Sequence, residues 1–145
     1  DLGVIPGARK NPLGLQYYEN VLRIDPDHQD AHYGRARLLQ DLGKTDQAIE
    51  AYNTLLAIDS SCARCHYNIG ALMLEVKKKY RDALGHFTHA IRIEPDNATN
   101  YFARGYTYSK LKEEENARRD YKMCLRLDPG YDAAVEGLNE LDRKR

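Results

Sequence analysis

Three stretches of the chain can be written under one another almost without gaps: DAHYGRARLLQDLGKTDQAIEAYNTLLAIDSSC from Asp30, RCHYNIGALMLEVKKKYRDALGHFTHAIRIEPDN from Arg64 and TNYFARGYTYSKLKEEENARRDYKMCLRLDPGY from Thr99. Small residues fall in register at Ala36, Gly70 and Gly105, and again at Ala48, Ala83 and Ala117. So do the rings of Tyr52, Phe87 and Tyr121 and the acidic ends Asp59, Glu94 and Asp128. Copies recur about every 34 residues, a spacing that belongs to stacked helix-turn-helix units. Such a unit buries its apolar face only against its neighbours, so the repeat constrains the whole architecture. The middle copy carries one extra residue in VKKKY, at a turn that can absorb it.

Within each copy the apolar residues keep helical spacing. Ala48, Ile49, Tyr52, Leu55 and Leu56 form one such stripe. Gly43 can take the left-handed conformation that stops a helix, and Pro26, Pro95 and Pro129 keep helices from running into the next copy. The pattern predicts helices near 12–24, 29–42, 45–58, 63–76, 80–93, 98–111, 114–127 and 131–143, with Asn11-Pro12 opening the first. The last, with Ala134, Val135, Leu138 and Leu141 on one side, reads as a solvating cap. Residues 1–11 lack periodicity and contain Gly3, Pro6 and Gly7, the composition of a linker. Helix 12–24 would then present Leu13, Tyr17 and Val21 without a partner from its own repeat, and self-association through this edge is one expectation.

The middle copy places His66, Ile69-Gly70, Met73, Ala83, Phe87 and Pro95, and the third places Tyr101, Arg104-Gly105, Tyr108, Ala117, Tyr121 and Pro129. This resembles the tetratricopeptide repeat family, whose signature spaces a ring, Leu-Gly, Tyr, Ala, Phe and Pro in that order. The first full copy is weaker, with His32, Arg35 and Ala36 in place of the usual types and Ser60 where proline is usual. Gly14, Tyr18 and IDPDH match a second half only. The resemblance implies an all-α, right-handed superhelical solenoid of antiparallel helix pairs. Its parts are a half repeat at 12–28, repeats at 29–62, 63–97 and 98–131, and a capping helix at 131–143.

The resemblance also implies a protein-interaction or peptide-interaction module, an assembly scaffold whose partner lies on a concave wall made by the first helix of each repeat. Helical spacing projects to that side Tyr33, Arg37 and Gln40; Arg64, Tyr67, Asn68, Ala71 and Leu74; and Phe102, Tyr106, Ser109 and Lys110. Tyr33, Tyr67 and Phe102 form an expected aromatic ladder, since aromatics and arginines dominate binding hot spots. The partner-binding candidates are thus Tyr33, Arg37, Arg64, Tyr67, Asn68, Phe102 and Tyr106. Repeats similar to chaperone-tail receptors clamp a terminal carboxylate with Lys and Asn, then Asn, then Lys and Arg. Here those positions hold Asp30 and Gly34, then Asn68, then Thr99 and Ala103. Only Asn68 fits, so carboxylate capture is not expected.

Other chemistry is weighed against this frame. Lysine plus arginine and aspartate plus glutamate both number 22, leaving no net field to favour nucleic acid. No apolar run approaches the roughly 20 residues that cross a bilayer. Asp1 opens the chain without a signal peptide, which reads as a trimmed or mature form. Cys62-Ala63-Arg64-Cys65-His66 spells the attachment motif of a c-type haem, and a redox-active dithiol or haem protein using Cys62, Cys65 and His66 is the alternative from another class. Against it, His66 is in register with His32, Cys65 with Ala31 and Cys62 with His28, so the repeat explains a ring and two small residues. Zinc would need two further ligands, and His28 and His32 lie a repeat away. Cys124 falls on an apolar stripe, while His86 and His89 read as a solvated face. Glu113-Glu114-Glu115 suits a helix start. With no phosphate loop or nucleophile motif, the expectation is a non-enzyme without cofactor or metal.

Overall fold

The computed structural model describes residues 13–144; the predicted linker 1–11 and the Asn11-Pro12 helix start lie outside them. Among the described residues there are eight α-helices: α1 (Leu13–Ile24), α2 (Gln29–Asp41), α3 (Thr45–Ile58), α4 (Ala63–Glu75), α5 (Tyr80–Ile93), α6 (Ala98–Lys110), α7 (Glu114–Leu127) and α8 (Asp132–Arg143). None is long and apolar enough to cross a membrane. The chain divides into two compact units at Cys65 and His66, within α4.

In the first unit Tyr18, Ala31 and Leu38 form a buried cluster against which Leu15, Val21, Leu22 and Leu42 pack. Val21 finds its partner in the next repeat, because α1 lays its Tyr18 side against α2. Leu13 and Tyr17 are exposed, as the sequence predicts, and so is Ile24. Ala48, Ala51, Tyr52 and Leu55 form the buried side of α3. In the second unit Leu74, Ala83, Phe87 and Ala103 make one cluster. Tyr101, Ala117, Tyr121, Cys124, Ala134 and Leu141 make another. Small residues stand where helices approach: a Cβ added at the buried Gly70 would stand 2.7 Å from the Phe87 ring, and one at the half-buried Gly137 2.7 Å from Tyr121. Gly105 meets the same tyrosine at 3.0 Å. Val135, expected on the packed side of the cap, is exposed; Ala134 and Leu141 anchor that helix instead.

The turns follow from local chemistry. Gly43 has φ +77° after α2, and Lys78 (φ 56°) and Lys112 (φ 64°) take the left-handed region after α4 and α6. Left-handed lysines are strained by about 1 kcal/mol each relative to glycine. The extra residue of VKKKY is absorbed there: Lys79 N–H donates to the Met73 carbonyl at 2.8 Å. At the helix starts one register position caps the free amides. His28 Nδ1 accepts from Ala31 N–H at 3.0 Å, Cys62 Sγ from Cys65 N–H at 3.2 Å, and Asn97 Oδ1 from Thr99 N–H at 3.0 Å.

Candidate functional site

The first helices carry the expected side chains, and each unit assembles its own set. In the first unit the Arg64 guanidinium lies 3.7 Å from the centre of the Tyr33 ring, a cation–π contact, and reaches Asp30 at 3.8 Å. The Tyr33 ring stands 5.9 Å from Tyr52, whose hydroxyl donates to Gln40 Oε1 at 2.8 Å. Burial pushes the Tyr52 phenol far above its ordinary pKa, so it stays a donor. Arg37 is held more firmly protonated by its hydrogen bond with Tyr33. Its Nε is enclosed and has no acceptor among the described residues. Tyr33, Arg37 and Arg64 are thus brought together.

The second unit holds the other candidates. Tyr67 is half-buried, 5.7 Å from Phe87, and burial raises its pKa first, with Tyr131 and Glu75 adding to the effect. Asn68 is half-buried on the same helix. Phe102 is ringed by Tyr131 at 5.3 Å, Tyr121 at 5.7 Å and Tyr106 at 6.1 Å, and Lys110 Nζ lies 5.0 Å over the Tyr106 ring. Tyr67 and Phe102 therefore contribute packing as well as surface, which a reading of groove-facing rings did not anticipate. Leu74, also expected on the open side, is buried against Phe87 and Ala103, because the side of α4 that holds it closes on α5 and α6.

A recess of about 510 Å³ opens beside these rings among α6, α7 and α8. Phe102, Tyr106 and Tyr121 give it an aromatic wall, and Lys110, Lys112, Lys144, Glu136 and Glu140 line it with charges of both signs. The contribution of the cap helix escaped the sequence reading. Gly137 carries the only local signal, a glycine inside an otherwise regular helix where another element must come close. In the same unit, Asp120 accepts from Arg104 Nε at 2.8 Å and Nη2 at 2.9 Å, a paired contact that joins α7 to α6.

The cysteine-histidine stretch differs from expectation. Cys62 and Cys65 are not independent small residues but are joined by a disulfide whose Cα atoms are 5.3 Å apart, the separation that such a bond needs. Cys124 is a buried free thiol, as expected of a core position. His86 and His89 are not simply a solvated face. His66 Nδ1 lies 3.4 Å from His86 Nδ1, and the His66 and His89 rings stack at 4.8 Å. Burial first, and then the neighbouring His89 and His86, pull the His66 pKa down to about 4. The register explains why a ring stands there. His32 Nε2 is 2.7 Å from the Pro26 carbonyl and Tyr101 donates to that of Pro95 at 2.9 Å, whereas the third member of the series turns to α5. Among the described residues no group of three or more ligating side chains converges on a metal position.

Antiparallel helix pairs with small residues at their contacts define an α-solenoid, a class that presents recognition surfaces. The tetratricopeptide repeat family matches residues 10–72 and again residues 98–131, together about two thirds of the chain. The chain belongs to that family. It is 32% identical over 114 residues to human mitochondrial import receptor subunit TOM34, covering 78% of this chain and 33% of that protein. It likewise spans only 25% of a DnaJ homolog subfamily C member 7 homolog from Dictyostelium discoideum. Among solved structures, a crystal structure of MamA superposes with TM-score 0.75 at 20% identity, over 90% of this chain and 86% of that one. The first tetratricopeptide repeat domain of Spaghetti (RPAP3), bound to the HSP90 peptide SRMEEVD, superposes with TM-score 0.75 at 22% identity, over 80% of this chain and 91% of that one.

Proposed function

We propose that this chain is a non-enzymatic interaction module that holds a protein segment against its first-helix side chains. The observation that carries this reading is the recess of the second unit, where an aromatic wall meets lysines and glutamates. Aromatic rings supply buried area at small entropic cost, and charges of both signs at the rim select a register along a peptide. The Tyr33–Arg37–Arg64 group offers the same chemistry in the first unit. The neighbour in RPAP3 takes an acidic peptide. In this chain the corresponding clamp positions hold Asp30, Gly34, Asn68, Thr99 and Ala103, so a segment recognised through its side chains fits better than a terminal carboxylate.

The test is selection from a displayed random peptide library on the purified protein, with affinities measured by calorimetric titration. Tyr106→Ala combined with Lys110→Glu should weaken selected peptides by about 2 kcal/mol or more. Lys122→Ala, on the exposed side of α7, should leave them unchanged, and circular dichroism verifies the fold of both variants. Peptides that bind the Tyr106 and Lys110 variant as well as the unaltered protein would refute this placement of the surface, and a library that yields none would refute the function.

A further inference from the structure

We propose that His66 and His86 form a two-imidazole site for a tetrahedral transition-metal cation, Zn²⁺ foremost, that pins α4 to α5. The two Nδ1 atoms stand 3.4 Å apart, long for a hydrogen bond to nitrogen. That separation matches the edge of a tetrahedron whose metal–nitrogen arms are about 2.0–2.1 Å, which is roughly 3.3–3.4 Å. The corresponding edge of a square plane, as Cu²⁺ prefers, is only about 2.8–2.9 Å. Imidazole nitrogen also selects against Mg²⁺ and Ca²⁺, which take oxygen.

The two rings come from helices that the core already fixes. Ile69 and Gly70 on α4 and Ala83, Phe87 and Ala90 on α5 are buried, so both ligands are positioned before an ion arrives. His89 is stacked face to face on His66 at an interplanar angle of 17°, which directs it to shield that ring and leaves the in-plane Nδ1 of His66 open. Asp82, one turn before His86, adds a negative field that favours a cation. With two protein ligands, water completes the coordination, and the site stays open to a ligand supplied from outside.

The experiment titrates Zn²⁺ into metal-free protein with the disulfide intact, by calorimetry and by long-range ¹H–¹⁵N spectra of the imidazoles. One equivalent should bind, and the Nδ1 resonances of both His66 and His86 should shift. His66→Gln and His86→Gln should each weaken binding about tenfold or more. His89→Gln should change it by less than about threefold, a shielding ring being no ligand. The spectra of the unaltered protein keep the test open should a variant fold poorly. Unchanged imidazole resonances at about millimolar Zn²⁺, unchanged affinity in the two ligand variants, or loss of binding in His89→Gln would each overturn the assignment.

Discussion

Gly70→Ala offers a sharp test of how the paired helices are spaced. An alanine in a helix interior is intrinsically better than glycine by about 0.5–1 kcal/mol. At Gly70, however, the new Cβ would stand 2.7 Å from Phe87 Cε1 and 3.0 Å from Cδ1 and Cζ. Phe87 is fully enclosed, so its ring cannot swing aside, and overpacking of this kind costs about 1–3 kcal/mol. The net destabilisation should be about 1–2 kcal/mol, or roughly 3–8 °C in thermal midpoint for a chain of this size. Gly85 is the matched control: it is exposed in α5 with nothing within 4 Å of an added Cβ, so Gly85→Ala should raise the midpoint by about 2–4 °C. The first repeat already carries Ala36, fully buried, in the register of Gly70. Alanine is tolerated where the facing helix stands off from the outset, so the cost at Gly70 is that of resetting an established spacing. Phe87→Leu removes the ring atoms that clash, and the double variant should be more stable than the sum of the two single effects predicts. Differential scanning calorimetry of the four variants decides the matter. A Gly70→Ala midpoint at or above that of the unaltered protein would refute the close-contact argument.

Two further outcomes follow from residues that are fully enclosed. Ala83→Asp places a charge among Leu74, Phe87 and Ala103 and should cost about 3 kcal/mol or more, read from denaturant titration followed by circular dichroism; an unchanged midpoint would contradict the register. Burial pushes the Cys124 thiol up to about 11, so at pH 8 the native protein should resist alkylation there. Denaturation without reductant should then release one reactive thiol, with Cys62 and Cys65 held in their disulfide, and mass spectrometry counts the labels.

The helices were legible in the sequence because the small residues and rings recur in step, and each stripe has a single way to face inward. The turn after α4 was legible for the same reason: an insertion between two regular stripes has nowhere else to go. What escaped was set by which particular neighbour a side chain meets. The spacing placed a ring at His66 but not the two imidazoles of α5 beside it, since H-x-x-H looks the same on a wet face as against another helix. The role of Cys62 as a helix cap was hidden because sulfur is not an expected capping acceptor, although His28 and Asn97 occupy the same position in the other copies. In the recess, first-helix periodicity pointed to Phe102 and Tyr106. The cap's glutamates enter only because Gly137 lets α8 come down on Tyr121.

Tyr121 is pressed by Gly105 of α6 and Gly137 of α8, and it also forms part of the recess wall. One ring is thus both a bearing between three helices and part of the lining of the recess. Anything that displaces it on binding must also load the seat of the terminal helix, and anything that loosens that helix reshapes the recess. Under the proposed function, occupancy and end-fraying become two readings of one equilibrium, and exchange protection of the α8 amides should rise when a peptide is added.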